Sequence, residues 1–202
     1  MKNIFIVTTA RSEFGILKNI IIEVSKIKKI KLTLIVSGTH LTSKYGKTIN
    51  EINELKLKNL KRIKVQIGDT SSQNSIKIVY NLMKKFSKLF EIDKPDSIVV
   101  FGDRFEILAI SYVSFLYKIP IIHIGGGETT MGSSDESIRH SVSKLSSFHF
   151  VTHKDHKKRL TQLGENKKNI FIIGSPGIEN IKKTKVLKKK KIEKRLGFKF
   201  FK

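Results

Sequence analysis

Short apolar runs alternate along the chain with stretches whose apolar residues return every three or four positions. NIFIVTT (3–9), KLTLIVSG (31–38), RIKVQIG (62–68), SIVVFGD (97–103), IPIIHIG (119–125), FHFVT (148–152) and NIFIIG (169–174) have the length and the Ile, Val and Phe content of strands. Helical spacing falls between them over 12–27, 72–91, 104–118, 134–146 and 153–163, with a further segment around 46–56. Ser12 is placed to cap the first helix, and Pro95 marks the boundary before the fourth strand. Seven strands separated by helices, apolar nearly throughout, predict a parallel sheet covered on both faces. That is a doubly wound, Rossmann-like α/β domain over residues 1–178. Residues 179–202 read as a linker helix and the truncated start of a second domain, because the Lys-rich tail ends just as FKFF begins.

In open α/β sheets ligands bind beyond the carboxyl ends of the strands, and here the unusual residues fall on that side. TTARSEFG follows the first strand, SGTHLTSKYG the second and GDRFE the fourth. GGGETTMGSSDES, THKDH and GSPG follow the fifth, sixth and seventh. The loops at the other edge, SKIKKIK and KLFEIDKP, are merely Lys-rich. One edge therefore carries the candidate chemistry.

Charge alters this picture little. The formal net charge of +23 raises nucleic-acid binding, but the excess is Lys spread along the chain. The six arginines, Arg11, Arg62, Arg104, Arg139, Arg159 and Arg195, are scattered and no aromatic-interleaved basic strand occurs. Nucleic acid is disfavoured. No apolar run reaches the roughly 18 residues of a membrane span and no secretory signal is evident at the N-terminus, so a cytoplasmic location is expected. The absence of cysteine excludes disulfides and thiolate chemistry.

The loops lack both the GxGxxG dinucleotide fingerprint and the GxxxxGK[ST] phosphate loop. Arg11, at the start of the first helix, either binds phosphate beside free backbone N–H groups or is a surface arginine. Asp103 is either a general acid or base, or a helix N-cap. Asp135 reads as an N-cap and Glu136 as a first-turn acid, with Arg139 one turn further on, where an intrahelical ion pair is the simplest reading. Glycines 125–127 would let a ligand approach the backbone. His123 reads as a hydrogen-bonded core residue. His40 is the histidine best positioned for a ligand, and none of the histidines has a zinc-binding spacing.

Together TARSEFG, SGTHL (37–41), FGDRFE (101–106), HIGGGETTMGSSDESIRHSVSKLS (123–146), THKDHKKRLTQLGE (152–165) and GSPGIENI (174–181) resemble the UDP-N-acetylglucosamine 2-epimerase family, in its hydrolysing, sialic-acid-pathway branch. The resemblance implies a glycosyltransferase-B-like fold of two Rossmann-like domains clasping a UDP-sugar, with this chain as the N-terminal half. It implies conversion of UDP-N-acetylglucosamine and water to N-acetylmannosamine and UDP, by elimination and then hydration, without cofactor or metal. By the match, Asp103 and Asp135 take the catalytic carboxylate positions, with Glu128 and Glu136 close seconds. Arg11 would contact the nucleotide, Arg139 would orient the carboxylates, and His40 and Ser175 would line the cleft. A UDP-2,4-diacetamido sugar is the alternative substrate, and a non-catalytic sugar-nucleotide-binding remnant the alternative role. The expected partner is the missing C-terminal domain, in cis or in trans; homo-oligomerisation is open. Many members carry Glu or His where this chain has Gly125.

Overall fold

The computed structural model describes residues 1–43, 46, 48–69, 71–183 and 187–201. Its elements run β1 (Lys2–Thr8), α1 (Arg11–Ser25), β2 (Ile30–Val36), a 3-10 turn (Gly38–Leu41), α2 (Thr48–Asn53), β3 (Leu60–Arg62) and α3 (Ser72–Ile92). They continue with β4 (Ser97–Phe101), α4 (Phe105–Leu116), β5 (Ile121–Ile124), α5 (Ser134–Leu145), β6 (Phe148–Val151), α6 (Lys154–Gln162), β7 (Ile170–Ile172), α7 (Pro176–Lys183) and α8 (Lys189–Leu196). The seven strands form one parallel sheet in the order β3-β2-β1-β4-β5-β6-β7. The order reverses between β1 and β4, which opens a crevice at their carboxyl ends.

Successive strand residues point to opposite faces, so each strand feeds two cores. Phe5, Val7, Ile35, Ile98, Val100 and Ile121 meet Ile78, Leu82, Phe86 and Phe90 of α3, with α4 and Val142 of α5 beside them. On the other face Ile6, Leu34, Val36, Val99 and Ile124 meet Phe14, Leu17 and Ile21 of α1 and Ile52 of α2. Two-sided burial is why the strands read as unbroken apolar runs rather than as an alternation. The second face is thinner beyond α1. There a 330 Å³ cavity is walled entirely by apolar side chains, among them Val24, Val99, Ile122, Phe150 and Ile173. At its flank α7 is tied to α1 by Asn180, whose side-chain amide donates to the carbonyls of Gly15 and Ile16.

Two local readings need correction. The third strand ends at Arg62 rather than near residue 68. Its neighbour β2 stops at Val36 and turns into the 3-10 segment, so after the bond from Ile63 N to Val36 O (2.9 Å) no ladder partner remains. Ile63 and Val65 are still buried, which produced the strand-like pattern. The cap of α1 is Ala10, not Ser12. Ala10 has no side-chain acceptor, and Glu13 substitutes by accepting from the backbone N–H groups of Thr9 (2.5 Å) and Ala10 (3.2 Å).

The β1 and β2 loops interlock through Thr9, whose carbonyl accepts from Thr39 N (2.8 Å) and Thr39 Oγ1 (3.1 Å). Gly38 makes this possible. Its φ is +61°, and a Cβ there would run into the Thr9 carbonyl. We therefore expect Gly38→Ala to lose about 2 kcal/mol or more of stability in urea unfolding, from strain and clash together. A loss below about 0.5 kcal/mol, the scale of an ordinary surface change, would contradict this interlock.

Candidate active site

At the crevice Arg139 of α5 joins the carboxyl-edge loops that follow β4 and β5. Its guanidinium lies 7% exposed and forms an ion pair with Asp103, which follows β4. The same group donates to the Glu128 carbonyl (3.0 Å) and to Thr130 Oγ1 (3.0 Å), both in the segment after β5. Burial lowers the pKa of Arg139 below the ordinary guanidinium value, and the facing carboxylate compensates the buried charge. The intrahelical pair suggested by the spacing of Asp135, Glu136 and Arg139 is not the one formed.

Asp103 is not a helix cap either. The cap of α4 is Arg104, without a side-chain hydrogen bond, and the Asp103 carboxylate is committed to Arg139 while keeping 24% exposure. Asp135 lies in the first turn of α5, whose cap is Ser133, accepting from Asp135 N at 3.2 Å. The Asp135 side chain is exposed, and its charge acts on Arg104. Glu136 is used internally: it accepts from Thr130 N (3.0 Å) and lies 3.6 Å from His140 Nε2. Glu128 accepts from Thr152 Oγ1 (3.2 Å) and lies 4.0 Å from His156 Nδ1, with 39% of its side chain exposed.

The remaining expected residues divide by accessibility. Arg11 is 71% exposed and pairs with Glu51 at 2.9 Å. Ser175, before α7, accepts weakly from Ile178 N at 3.4 Å. His40 is buried at 1% exposure, its Nε2 2.9 Å from Thr8 Oγ1 and its Nδ1 2.9 Å from Thr48 Oγ1. Desolvation lowers its pKa to about 4, so His40 bridges β1, the 3-10 turn and α2 as a neutral ring.

Three residues given no role from the sequence complete the edge. Glu13 is 3% exposed, and burial pushes its carboxyl up to about 7 against the hydrogen bonds from Thr9 and Ala10 and the charge of Arg104. Arg104 reaches Glu106 (Nη2 to Oε1, 2.7 Å) and approaches Glu13 (Nε to Oε1, 3.9 Å). Burial opposes the charge on Arg104, but the Glu106 hydrogen bond and the charges of Glu106, Glu13 and Asp135 outweigh it, so its pKa is raised. A signal for this cluster was present: GDRFE places two acids and an arginine within five residues of a strand end.

Beneath the edge, His123 is fully buried, with Nε2 2.8 Å from the Gly102 carbonyl and Nδ1 3.1 Å from Ser143 Oγ. A carbonyl only accepts, so Nε2 carries the proton and Nδ1 of the neutral ring accepts from Ser143. His123 thus joins the residue before Asp103 to the helix that carries Arg139. The glycines above it serve packing rather than ligand approach. A Cβ on Gly126 would lie 2.9 Å from Ser143 Oγ, and one on Gly127 (φ +75°) 2.5 Å from the His156 carbonyl. Gly125 differs in space, since a Cβ there would meet nothing closer than the Phe101 ring at 3.5 Å, but its φ of +85° still favours glycine.

Among the described residues no group of three or more His, Cys, Asp or Glu side chains could hold a metal ion. No helix among them is long and apolar enough to cross a membrane.

A doubly wound α/β domain has its ligand crevice at the switch point of the sheet, and here paired carboxylates and arginines stand at that edge. The family can be stated more closely. The profile of the UDP-N-acetylglucosamine 2-epimerase family matches residues 22–200, and the chain belongs to that family. It is 41% identical over 198 residues, 98% of its length, to the GDP/UDP-N,N'-diacetylbacillosamine 2-epimerase (hydrolyzing) of Campylobacter jejuni. It is 32% identical, again over 98% of its length, to the UDP-N,N'-diacetylbacillosamine 2-epimerase (hydrolyzing) of Legionella pneumophila. Its fold superposes on UDP-GlcNAc 2-epimerase from Neisseria meningitidis bound to UDP-GlcNAc with a TM-score of 0.79, at 22% identity over 96% of this chain and 53% of that one. The chain spans about half the length of the curated relatives it matches, 51% and 52% in these two cases.

The buried histidines make a pH test. Desolvation lowers both His123 and His40 to about 4, from 6.5. A folded-state pKa below the unfolded value gives stability that is present above about pH 6.5 and lost as pH falls toward 4. For His123 the full effect is about 3 kcal/mol. Urea unfolding between pH 7 and pH 4.5 should show a steep loss of stability, reduced in His123→Gln. An unchanged slope in that variant would mean that His123 is not held neutral by burial.

Proposed function

We propose that this chain is the N-terminal half of a hydrolysing UDP-sugar 2-epimerase, acting in the cytoplasm on a UDP-linked 2-acetamido sugar. UDP-N,N'-diacetylbacillosamine is the first choice of substrate, since hydrolysing enzymes named for that sugar are 41% and 32% identical to it over nearly the whole chain. UDP-N-acetylglucosamine, converted to N-acetylmannosamine for a sialic-acid-type product, is the second. The observation that carries the reading is Asp103, a partly exposed carboxylate at the switch point, oriented by the buried Arg139.

In the proposed reaction a carboxylate removes the proton at C2 as the C1–O bond to UDP breaks, leaving a 2-acetamidoglucal. Protonation at C2 from the opposite face and addition of water at C1 then give the C2-inverted free sugar. This requires a base and an acid on opposite sides of the ring, and no change of oxidation state. Asp103, after β4, and Asp135, exposed in the first turn of α5, are the candidates for these roles because they come from different segments of the carboxyl edge. Glu128 is the next candidate, being partly exposed, whereas Glu136 is occupied by Thr130 N. Arg11, 71% exposed and paired with the partly exposed Glu51, is the candidate for the diphosphate, and Ser175 for the lining of the edge. The second half of the polypeptide, the part of the relatives this chain does not span, would close the cleft and complete nucleotide binding.

The isolated chain is expected to release no UDP from either UDP-sugar. Fused to the C-terminal half of the Campylobacter relative, it should release UDP from UDP-N,N'-diacetylbacillosamine, and Asp103→Asn should lower that rate by about 10² or more. Turnover by the isolated chain would overturn the need for a second half. A near-normal rate in the fused Asp103→Asn variant would remove Asp103 from the chemistry.

A further inference from the structure

Positive charge is densest far from the crevice. Residues 182–202 hold eleven Lys and Arg against one acid, Glu193, which is ten of the chain's 23 net positive charges. In their midst α8 buries none of its residues against the domain. Its single acid is already engaged: Glu193 accepts from Phe200 N at 2.9 Å and lies 3.9 Å from Lys189 Nζ. Lys190, Lys191, Lys194 and Arg195 make no ion pair among the described residues. Gly197, at φ +72°, ends the helix and turns the chain back. Phe198 and Lys199 thereby come beside Lys190 and Lys194 around a 450 Å³ hollow. The Phe198 ring packs edge-on against Phe200 at 5.1 Å. At this end of α8, Leu196 and Phe198 are each 54% exposed and Phe201 99%.

We infer that α8 and the turn after it dock the chain on an anionic lipid bilayer. The lysines meet the phosphate-diester headgroups, and Leu196, Phe198 and Phe201 enter the interface beneath them. The inference is independent of the UDP-sugar reading. Charge complementarity selects the partner: a dense group of unpaired cations faces outward, and an anionic leaflet attracts such a group over about one Debye length. Charge alone would suit any polyanion, so the apolar tip decides between them. Basic residues beside exposed Leu and Phe are the combination that binds at a bilayer surface, where apolar burial and charge act together. Lysine also suits the boundary, since its methylene stem can lie along the Phe198 ring while the ammonium stays among the headgroups. A nucleic-acid backbone offers no apolar phase for Leu196, and α8 supplies only one arginine, the residue suited to bidentate phosphate and base contacts.

The test is flotation of the 202-residue chain with vesicles of phosphatidylcholine, alone or mixed with phosphatidylglycerol. The chain should float with the mixed vesicles, stay behind with the neutral ones, and be released by about 1 M NaCl, where the Debye length is about 3 Å. Lys190→Glu with Lys194→Glu should lower the partition coefficient about 30-fold or more, which is about 2 kcal/mol. Phe201→Ser should lower it about fivefold, because the tip then loses apolar burial. Lys28→Glu with Lys29→Glu, exposed on the loop between α1 and β2, should float like the parent. An equal loss in that control would make binding a matter of total charge and overturn the assignment to α8. Unchanged partition in Phe201→Ser and Leu196→Ser would overturn the role of the tip. Tight binding to a single-stranded RNA without flotation would give the surface to nucleic acid and overturn the proposal. Flotation that is lost when the chain is fused to the Campylobacter C-terminal half would assign the apolar tip to that half, with the same consequence.

Discussion

One buried guanidinium organises the crevice. Arg139 leaves α5 and binds Asp103 after β4 and the Glu128–Thr130 segment after β5, so two loops and a helix share a single charged centre. Below it His123 connects the Gly102 carbonyl to Ser143 of the same helix, and Ser143 Oγ also lies 3.0 Å from the Arg139 carbonyl. A guanidinium this deeply buried is tolerable only because a carboxylate faces it and its N–H groups find acceptors. The arrangement also fixes where Asp103 can point, which is what its proposed role requires.

The cluster beside it follows a related rule with a different outcome. Around Arg104 two carboxylates are buried and the side chain is partly open, so the charge is compensated from its buried side. Of the two arginines within the cluster, Arg139 is buried and Arg104 partly exposed. Burial and partner count separate them, although sequence position does not. Glu13 shows the same economy of parts: it caps α1 in place of the side chain Ala10 lacks, and it sets part of the field around Arg104.

Much of this was legible in the chain. Near-continuous Ile and Val runs reported a two-faced parallel sheet because burial on both faces removes any need for alternation. The concentration of Gly and ionisable residues in the loops after β1, β2, β4, β5, β6 and β7 located the crevice. Pairings were not legible. Helical spacing offered Arg139 a partner one turn away in Asp135 or Glu136, whereas the tertiary fold brought up Asp103, 36 residues distant. The third strand was overextended because burial of Ile63 and Val65 continues past the last ladder bond. The glycines of 125–127 looked like room for a ligand, yet two of them are held by Ser143, His123 and His156. Gly125 has room for a Cβ, but its φ of +85° strains any other residue there, so backbone conformation rather than space favours glycine.

The dependence of the crevice on the Asp103–Arg139 pair is most directly measured by a double-mutant cycle. Asp103→Asn, Arg139→Met and the double variant would be compared by urea unfolding at pH 7, where each single change leaves one partner uncompensated. We expect a coupling energy of about 2 kcal/mol or more. A coupling below about 0.5 kcal/mol, the level at which distant sites add independently, would contradict the view that this pair holds the active edge together.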